Sequence, residues 1–235
     1  MNDIQITEQT QAMASPIARE MAYKKDMLEL ERLEFQLMHD QGKLMATCKG
    51  TPAHLRNNVG DCCAVISQAR RWNMDKFAVA SKTFVINGLV GYESQLVNAV
   101  INANAPIKHR LQYEWFGNWD KIVGKFATKT NGAGKSYQAP AWTLADEKGC
   151  GVKVWTTLRG EDEPRCLELL MSQATVRNST LWASDPKQQL AYLAVKRWAR
   201  LYCPDVILGV YTPDELAEGE YIDNNTGHKT KNVTE

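Results

Sequence analysis

Residues 179–204 read STLWASDPKQQLAYLAVKRWARLYCP, and this segment decides more of the fold than any other. Asp185 suits the N-cap of a helix, Pro186 its first position and Gln188 its third, where an amide can return a hydrogen bond. Pro204 ends the pattern, since proline cannot continue a helix. The segment therefore predicts a strongly capped helix that follows a loop containing Trp182.

The predicted helix is amphipathic. At about 100° per residue, an apolar stripe forms on one side and three basic residues fall on roughly the opposite side. Lys187 lies in the first turn, where the helix dipole disfavours a cation, which indicates a use outside the helix. A basic face suits an anionic partner, and a nucleic-acid backbone is the best candidate; an ordinary solvated surface helix is the alternative. The stripe comprises Leu190, Ala194, Trp198 and Leu201, and the basic residues are Lys196, Arg197 and Arg200.

The same segment resembles the C-terminal signature of the RecT/Redβ family of phage single-strand DNA annealing proteins. That signature has a tryptophan, a polar turn and a basic helix in this order. Two upstream segments also resemble the family: a Gly-Tyr segment at 91–97 that follows a hairpin, and the aromatic segment 113–121. The resemblance covers roughly residues 52–216. Leu193 departs from it, because it stands at a position that is basic in the family.

The resemblance implies a function. It implies ATP-independent binding of single-stranded DNA and annealing of complementary strands in phage-type homologous recombination, with neither an enzymatic activity nor a cofactor. It also implies self-assembly into rings or helical filaments and action beside a 5′→3′ exonuclease. By resemblance to the family's helix, the residues expected to contact phosphate are Lys187, Lys196, Arg197 and Arg200. Charge and location add the weaker candidates Lys82, Lys121 and Lys125.

Composition bounds the possibilities. A chain of 235 residues fits one large domain with tails, and we expect a mobile segment 1–18, a core 19–216 and an acidic tail 217–235. The net charge is only +1, but it is unevenly distributed. Residues 106–136 hold six Lys/Arg against two acids, whereas 213–235 hold six acids against two lysines. The tail either aids solubility or competes with DNA for a basic groove.

Cysteine and hydropathy patterns address location and metal binding. The six cysteines form no Cys-x-x-Cys pair and the four histidines are scattered, which argues against a zinc site and a disulfide framework. The polar N-terminus lacks a signal-peptide core, and no apolar run approaches the ~20 residues that span a bilayer. We therefore expect a cytoplasmic protein, in the host cytoplasm if a phage encodes it, and little room for a partner-recruiting domain after Leu216.

The order of elements predicts an α+β fold with a small, largely antiparallel sheet. Apolar spacing predicts helices at 20–40, 53–72, 95–103 and 164–174, in addition to the signature helix. The first of these is a candidate for subunit contacts, because its apolar stripe needs a cover. Asn87-Gly88 predicts the turn of a hairpin at 82–92. Residues 110–126 and 150–159 are β-like, and 128–138 are expected to form an exposed basic loop.

Other chemical patterns are weaker. Gly132-Ala-Gly-Lys-Ser136 resembles the end of a phosphate-binding loop, but Lys129 stands where that motif needs glycine. Acidic pairs at 146–147 and 161–163 leave a metal-dependent nuclease open as an alternative. The aromatic rings interleaved with lysines at 108–126 suit base stacking, although packing within the fold explains them equally. A passive single-strand binding protein and a phage assembly protein are the remaining alternatives.

Overall fold

A computed structural model describes residues 15–86, 88–175, 177, 180–212, 215 and 216. The chain separates into two units, residues 1–81 and 82–235, and each is described by itself. The tail 217–235 and most of the predicted mobile segment 1–18 lie outside the described residues. The domain boundaries proposed from the sequence stay predictions. In the described part, no helix is long and apolar enough to cross a membrane.

The first unit is helical. Helix α1 (Pro16–Thr47) is followed by a 3-10 turn (Ala53–Leu55), α2 (Val59–Arg71) and α3 (Lys76–Ala80). Helix α1 is longer than the predicted 20–40, because the Ser15 hydroxyl caps it by accepting a hydrogen bond from the Ala18 amide at 3.2 Å. The prediction of one continuous helix over 53–72 was wrong. Asn57 has a positive φ of 60°, which interrupts the helix, and Asn58 then caps α2.

The C-terminal part of α1 packs on α2. Gly42, Met45 and Ala46 are buried there. A Cβ atom on Gly42 would lie 2.6 Å from the Cys63 sulfur, so this close approach requires glycine. Residues 15–37 are exposed throughout, although this stretch carries many large apolar side chains.

The second unit mixes strands and helices. Strands β1 (Thr83–Ile86) and β2 (Leu89–Tyr92) form the predicted hairpin, and α4 (Ser94–Asn104) follows. Asn87, half of the predicted turn, lies outside the described residues, while Gly88 has the positive φ of 77° that such a turn requires. A three-stranded antiparallel sheet has the order β3-β6-β7, with bounds Gln112–Phe116, Gly151–Thr157 and Pro164–Leu170. The predicted α+β class with small antiparallel sheets is confirmed.

The signature helix organises this unit. Helix α6 (Pro186–Tyr202) begins as predicted, with the Asp185 carboxylate accepting from the Gln188 amide at 3.1 Å. It packs on β6, β7 and α4. Trp198 is fully buried, and its indole N–H donates to the Arg165 carbonyl at 2.8 Å. The short helix α5 (Leu181–Ser184) precedes it, and a 3-10 turn (Pro204–Ile207) follows.

Two predictions in this unit were wrong. Residues 164–170 form strand β7, not a helix, because Leu169 alternates onto the covered face of the sheet and is 2% exposed. A 3-10 turn (Met171–Gln173) follows β7. The predicted loop 128–138 is a hairpin of β4 (Phe126–Thr130) and β5 (Ser136–Pro140), and only its tip is a turn. Cross-strand pairing, which is non-local, decided both segments. The β-like stretch 110–126 holds β3, a 3-10 turn (Trp119–Lys121) and the start of β4.

Candidate nucleic-acid interface

A lysine set against two tryptophans is the most distinctive surface feature of the second unit. The Lys187 ammonium lies 5.9 Å from the ring centroid of Trp115 and 5.5 Å from that of Trp119. Trp119 is 6% exposed and donates its indole N–H to the Phe116 carbonyl, so it forms the floor. Trp115 is 39% exposed, so part of its ring is accessible. A cation and an accessible ring therefore stand side by side, as single-strand binding requires.

The ring of Tyr113 extends this surface along the edge strand β3. Its centroid lies 5.8 Å from that of Trp115, with an interplanar angle of 21°. The Asn98 amide donates to the Tyr113 hydroxyl at 3.4 Å, and the Asn102 amide donates to the Asn98 side-chain oxygen at 2.8 Å. Asn102 also accepts from the Leu111 amide. This chain of hydrogen bonds holds the tyrosine in position from α4.

Tyr113 also lines a groove between α4 and α6. Two adjoining cavities of about 430 and 390 Å³ share Gln95 and Tyr192. Burial raises the pKa of the Tyr192 hydroxyl. Most of the remaining polar lining is uncharged and able to donate and accept hydrogen bonds, with one cation and one carboxylate: Asn98, Asn102, Gln188, Gln189, Arg110 and Glu93.

The sequence reasoning missed this amide-lined groove. A signal was present, because Gln95, Asn98 and Asn102 recur at helical spacing opposite the buried face of α4. The prediction of site residues rested instead on the charge of the lysines at 82–126. Amide side chains commonly contact phosphate and sugar, so the groove is a suitable backbone track.

Lys196, Arg197 and Arg200 do not form the exposed basic face that the sequence predicts on α6. Lys196 is only 5% exposed, and its ammonium donates to the Thr212 hydroxyl at 2.6 Å. The Glu215 carboxylate lies 3.7 Å from Lys196 and 2.6 Å from the Arg200 guanidinium. Arg197 is half-buried and donates to the Gln173 carbonyl at 3.2 Å. These three cations hold other parts of the chain, and any contact with DNA by them stays a prediction.

The remaining predicted cations divide into two kinds. Lys82 pairs with Glu93 at 3.0 Å beside the groove. Lys121 and Lys125 are exposed, and within the described residues the ammonium group of neither makes a hydrogen bond or an ion pair. We call Lys187, Trp115 and Trp119 the Lys187 cluster. Lys121 ends the 3-10 turn that begins at Trp119, a member of this cluster. The structure thus brings together Lys187 and the Trp119–Lys121 turn, and separates them from Lys196 and Arg200.

The acidic pairs have structural partners. Asp146 accepts from the amide and hydroxyl of Thr143, and these hydrogen bonds lower its pKa. Glu147 is buried and pairs with Arg177. Burial opposes its ionisation, but the hydrogen bonds from Arg177 and Trp142 outweigh burial and lower the pKa. Among the described residues, no group of three or more His, Cys, Asp or Glu could hold a metal ion.

Comparison with known families decides the identity. The family model described as the RecT family matches residues 39–227. The chain belongs to the RecT family. This confirms the resemblance drawn from the signature segment and assigns the chain to DNA recombination by single-strand annealing, which entails binding of single-stranded DNA. No curated protein and no solved structure matches it. In this RecT-family chain, the Lys187 cluster and the amide-lined groove lie within the matched residues.

Proposed function

We propose that this RecT-family protein binds the first DNA strand along one continuous surface and anneals a complementary strand to it without ATP. The first-strand surface comprises the Lys187 cluster (Lys187, Trp115, Trp119), Tyr113 and the groove between α4 and α6. The observation that carries the proposal is the Lys187–Trp115 pair, which combines a cation for phosphate with a partly exposed ring for a base. Stacking on such a ring contributes about 1–3 kcal/mol per base.

The groove supports the same assignment. Its amides and tyrosine hydroxyls suit uncharged sugar oxygens and phosphate oxygens, and Arg110 adds a cation at one end. Binding a strand by its backbone releases counterions and leaves the base edges free to pair. Watson–Crick pairing with the second strand then supplies all the sequence specificity, so the protein needs no base-reading contacts.

Independence from ATP has structural support. The segment that resembled a phosphate-binding loop, 132–136, lies at the tip of the β4–β5 hairpin. A nucleotide-binding loop instead connects a strand to a helix whose N-terminus faces the phosphates. Lys135 is therefore an exposed cation at a turn and not a nucleotide ligand. We infer that the protein acts without a cofactor and without bond chemistry, in the cytoplasm of the cell that makes it.

Self-assembly is the second part of the proposal. Residues 16–37 of α1 carry apolar side chains that are 40–71% exposed, including Leu30 at 51%, Phe35 at 66% and Leu37 at 54%. In proteins most helical stability comes from the packing of an apolar face, so this exposed stretch calls for a cover. We infer that neighbouring copies supply that cover in a ring or filament, and that a 5′→3′ exonuclease supplies the single strands.

The test is annealing of two complementary fluorescent oligonucleotides with no nucleotide present. Accelerated duplex formation with unchanged strand lengths on a denaturing gel is the expected result. Tight binding without acceleration would favour a passive single-strand binding protein, and shortened strands in Mg²⁺ would favour a nuclease. Either of these results would overturn the proposal.

A further inference from the structure

We propose that the β4–β5 hairpin is a second nucleic-acid site, which binds the phosphates of the incoming strand while the first-strand surface holds its complement. This inference rests on the proposed annealing function. We call the hairpin, residues 126–140, the ribbon. The first-strand surface described above does not include it.

The ribbon is exposed and purely cationic. Every residue of β4 is exposed, and so are residues 131–137 at the tip and in β5. Residues 121–145 contain four lysines and no acid. Lys125, Lys129 and Lys135 are exposed, and none of their ammonium groups makes a hydrogen bond or ion pair with any described residue. Cations that the fold leaves unpaired on a projecting element are available to an external polyanion.

The ribbon has a defined shape. Its strands pair in register from Phe126↔Pro140 to Thr130↔Ser136. At the tip, the Asn131 side chain accepts from the Ala133 and Lys135 amides at 3.1 and 2.9 Å, and Gly134 takes a positive φ of 77°. Lys129 is the cross-strand partner of Tyr137, which is 39% exposed. A cation and a ring are thus presented together on one face.

The base of the ribbon adjoins the first-strand surface. Its N-terminal end follows the Trp119–Lys121 turn after four residues, and the Ala141 amide donates to the Lys125 carbonyl at 3.1 Å to close the base. Strand β5 packs on α5, which leads into the first turn of α6, where Lys187 lies. Both connections run to the Lys187 cluster. A strand held there would therefore have its complement arrive beside the ribbon.

The chemistry of annealing explains why a second site is needed. Two strands that approach for pairing repel each other through their phosphates, and bound cations remove that barrier by replacing the counterions. The first-strand surface is concave and contains rings and amides. The ribbon is exposed along β4 and carries Lys129 and Lys135, so it suits a backbone that arrives and leaves. Binding by the ribbon would accordingly affect the rate of annealing more than the affinity for the first strand.

The test separates the two sites by a double substitution, Lys129→Ala with Lys135→Ala. We expect its affinity for a single labelled oligonucleotide to stay within about twofold of the wild type, and its annealing rate to fall by about tenfold or more at 0.1 M salt. Lys129→Arg with Lys135→Arg keeps both charges and should restore the rate. Thr130→Ala with Ser136→Ala perturbs a neighbouring exposed cross-strand pair without changing charge, and should anneal like the wild type.

Three outcomes would overturn the inference. Annealing by the alanine pair at the wild-type rate would show that the ribbon takes no part. An equal loss of single-strand affinity would place the ribbon in the first-strand site. An equal loss in the Thr130/Ser136 control would mean that the shape of the ribbon matters and its charge does not. If the wild-type protein itself fails to anneal, the proposed function is wrong, which is a distinct result.

Discussion

Lys187 connects the sequence to the proposed activity through its position in the first turn of α6. A cation in the first turn of a helix is disfavoured by the helix dipole, so its position there calls for a compensating interaction. The rings of Trp115 and Trp119 supply one, because their faces attract the ammonium. The same ammonium stays half-buried at the surface, within reach of a phosphate. In the proposed function, this one side chain joins the aromatic floor to the backbone of a bound strand.

Lys187 and Arg200 make opposite predictions for the salt dependence of binding. Lys187→Ala should lower the slope of log K against log salt for single-stranded DNA by about 0.7, because one phosphate contact is lost. Arg200→Ala should leave the slope nearly unchanged, since Glu215 already pairs with that guanidinium at 2.6 Å. Fluorescence anisotropy at several salt concentrations measures both. A larger change of slope for Arg200→Ala than for Lys187→Ala would place the phosphate contacts on the side of α6 that carries Arg200.

Local chemistry made some residues predictable and others not. Asp185 and Pro186 cap α6 as the sequence indicated, because capping involves only neighbours in the chain. The burial of Lys196 was not predictable from its position in the helix, since Thr212 and Glu215 reach it from a later segment. Helical spacing gives the direction of a side chain but not what lies opposite it.

At the scale of elements, the exposed apolar side chains of α1 call for a packing partner. Its first 22 residues, 16–37, are exposed, although helices in proteins gain most of their stability from packing an apolar face. Tyr23, Leu30, Leu37 and Leu44 recur every seven residues along one side, and each is at least half exposed. A repeat of seven is the spacing with which helices pack along one another. The pattern supports α1 as the assembly element.

Leu37→Glu should therefore reduce the size of assemblies, because a carboxylate would be buried in the contact. The neighbouring Gln36→Glu is the matched control, since it adds the same charge one residue away and off the apolar stripe. Sedimentation velocity at equal protein concentration distinguishes them. Assemblies of wild-type size for Leu37→Glu would remove this stripe from the subunit contact.

The strands were the elements that sequence reasoning predicted least well. Residues 164–170 have apolar spacing that also fits a helix, and only pairing with β6 makes them a strand. Residues 128–138 are rich in turn-forming residues. Because of this composition, the short strands on either side of the tip were not predicted. By contrast, the β1–β2 hairpin and β6 were predictable, because Asn-Gly turns and strict alternation are local signals.

At the scale of the whole molecule, one buried ion pair joins distant parts of the second unit. Glu147 precedes β6 and Arg177 precedes α5, so their contact bridges 30 residues of chain. Glu147→Gln should lower the free energy of unfolding by about 3 kcal/mol at neutral pH, because it leaves a partly buried guanidinium without its charged partner. Urea denaturation measures the difference.

The same pair predicts a pH dependence. The folded pKa of Glu147 lies below its ordinary value of 4.5, so the stabilisation is fully present above that pH. It is lost as the pH falls through the folded pKa and the carboxylate becomes protonated. The gap in stability between wild type and Glu147→Gln should therefore narrow in acid. A gap that stays constant between pH 7 and pH 3 would contradict this assignment.

The acidic tail leads to a prediction for a truncated protein. Residues 213–235 hold six acids, and the described structure already uses Glu215 to bind Lys196 and Arg200. Removing residues 217–235 retains that carboxylate, so annealing by the truncated protein should equal that of the wild type. Oligonucleotide annealing rates provide the comparison. A lost rate would show that the tail does more than aid solubility.

The central claim is that the Lys187–Trp115 surface carries the first strand, and one comparison tests it most directly. Annealing rates without nucleotide should be measured for Trp115→Ala with Lys187→Ala, and for Trp115→Phe with Lys187→Arg, which keeps the ring and the charge. We expect the alanine pair to lose about tenfold or more in single-strand affinity and in annealing rate, and the conservative pair to retain both. An alanine pair that binds and anneals like the wild type would contradict the account.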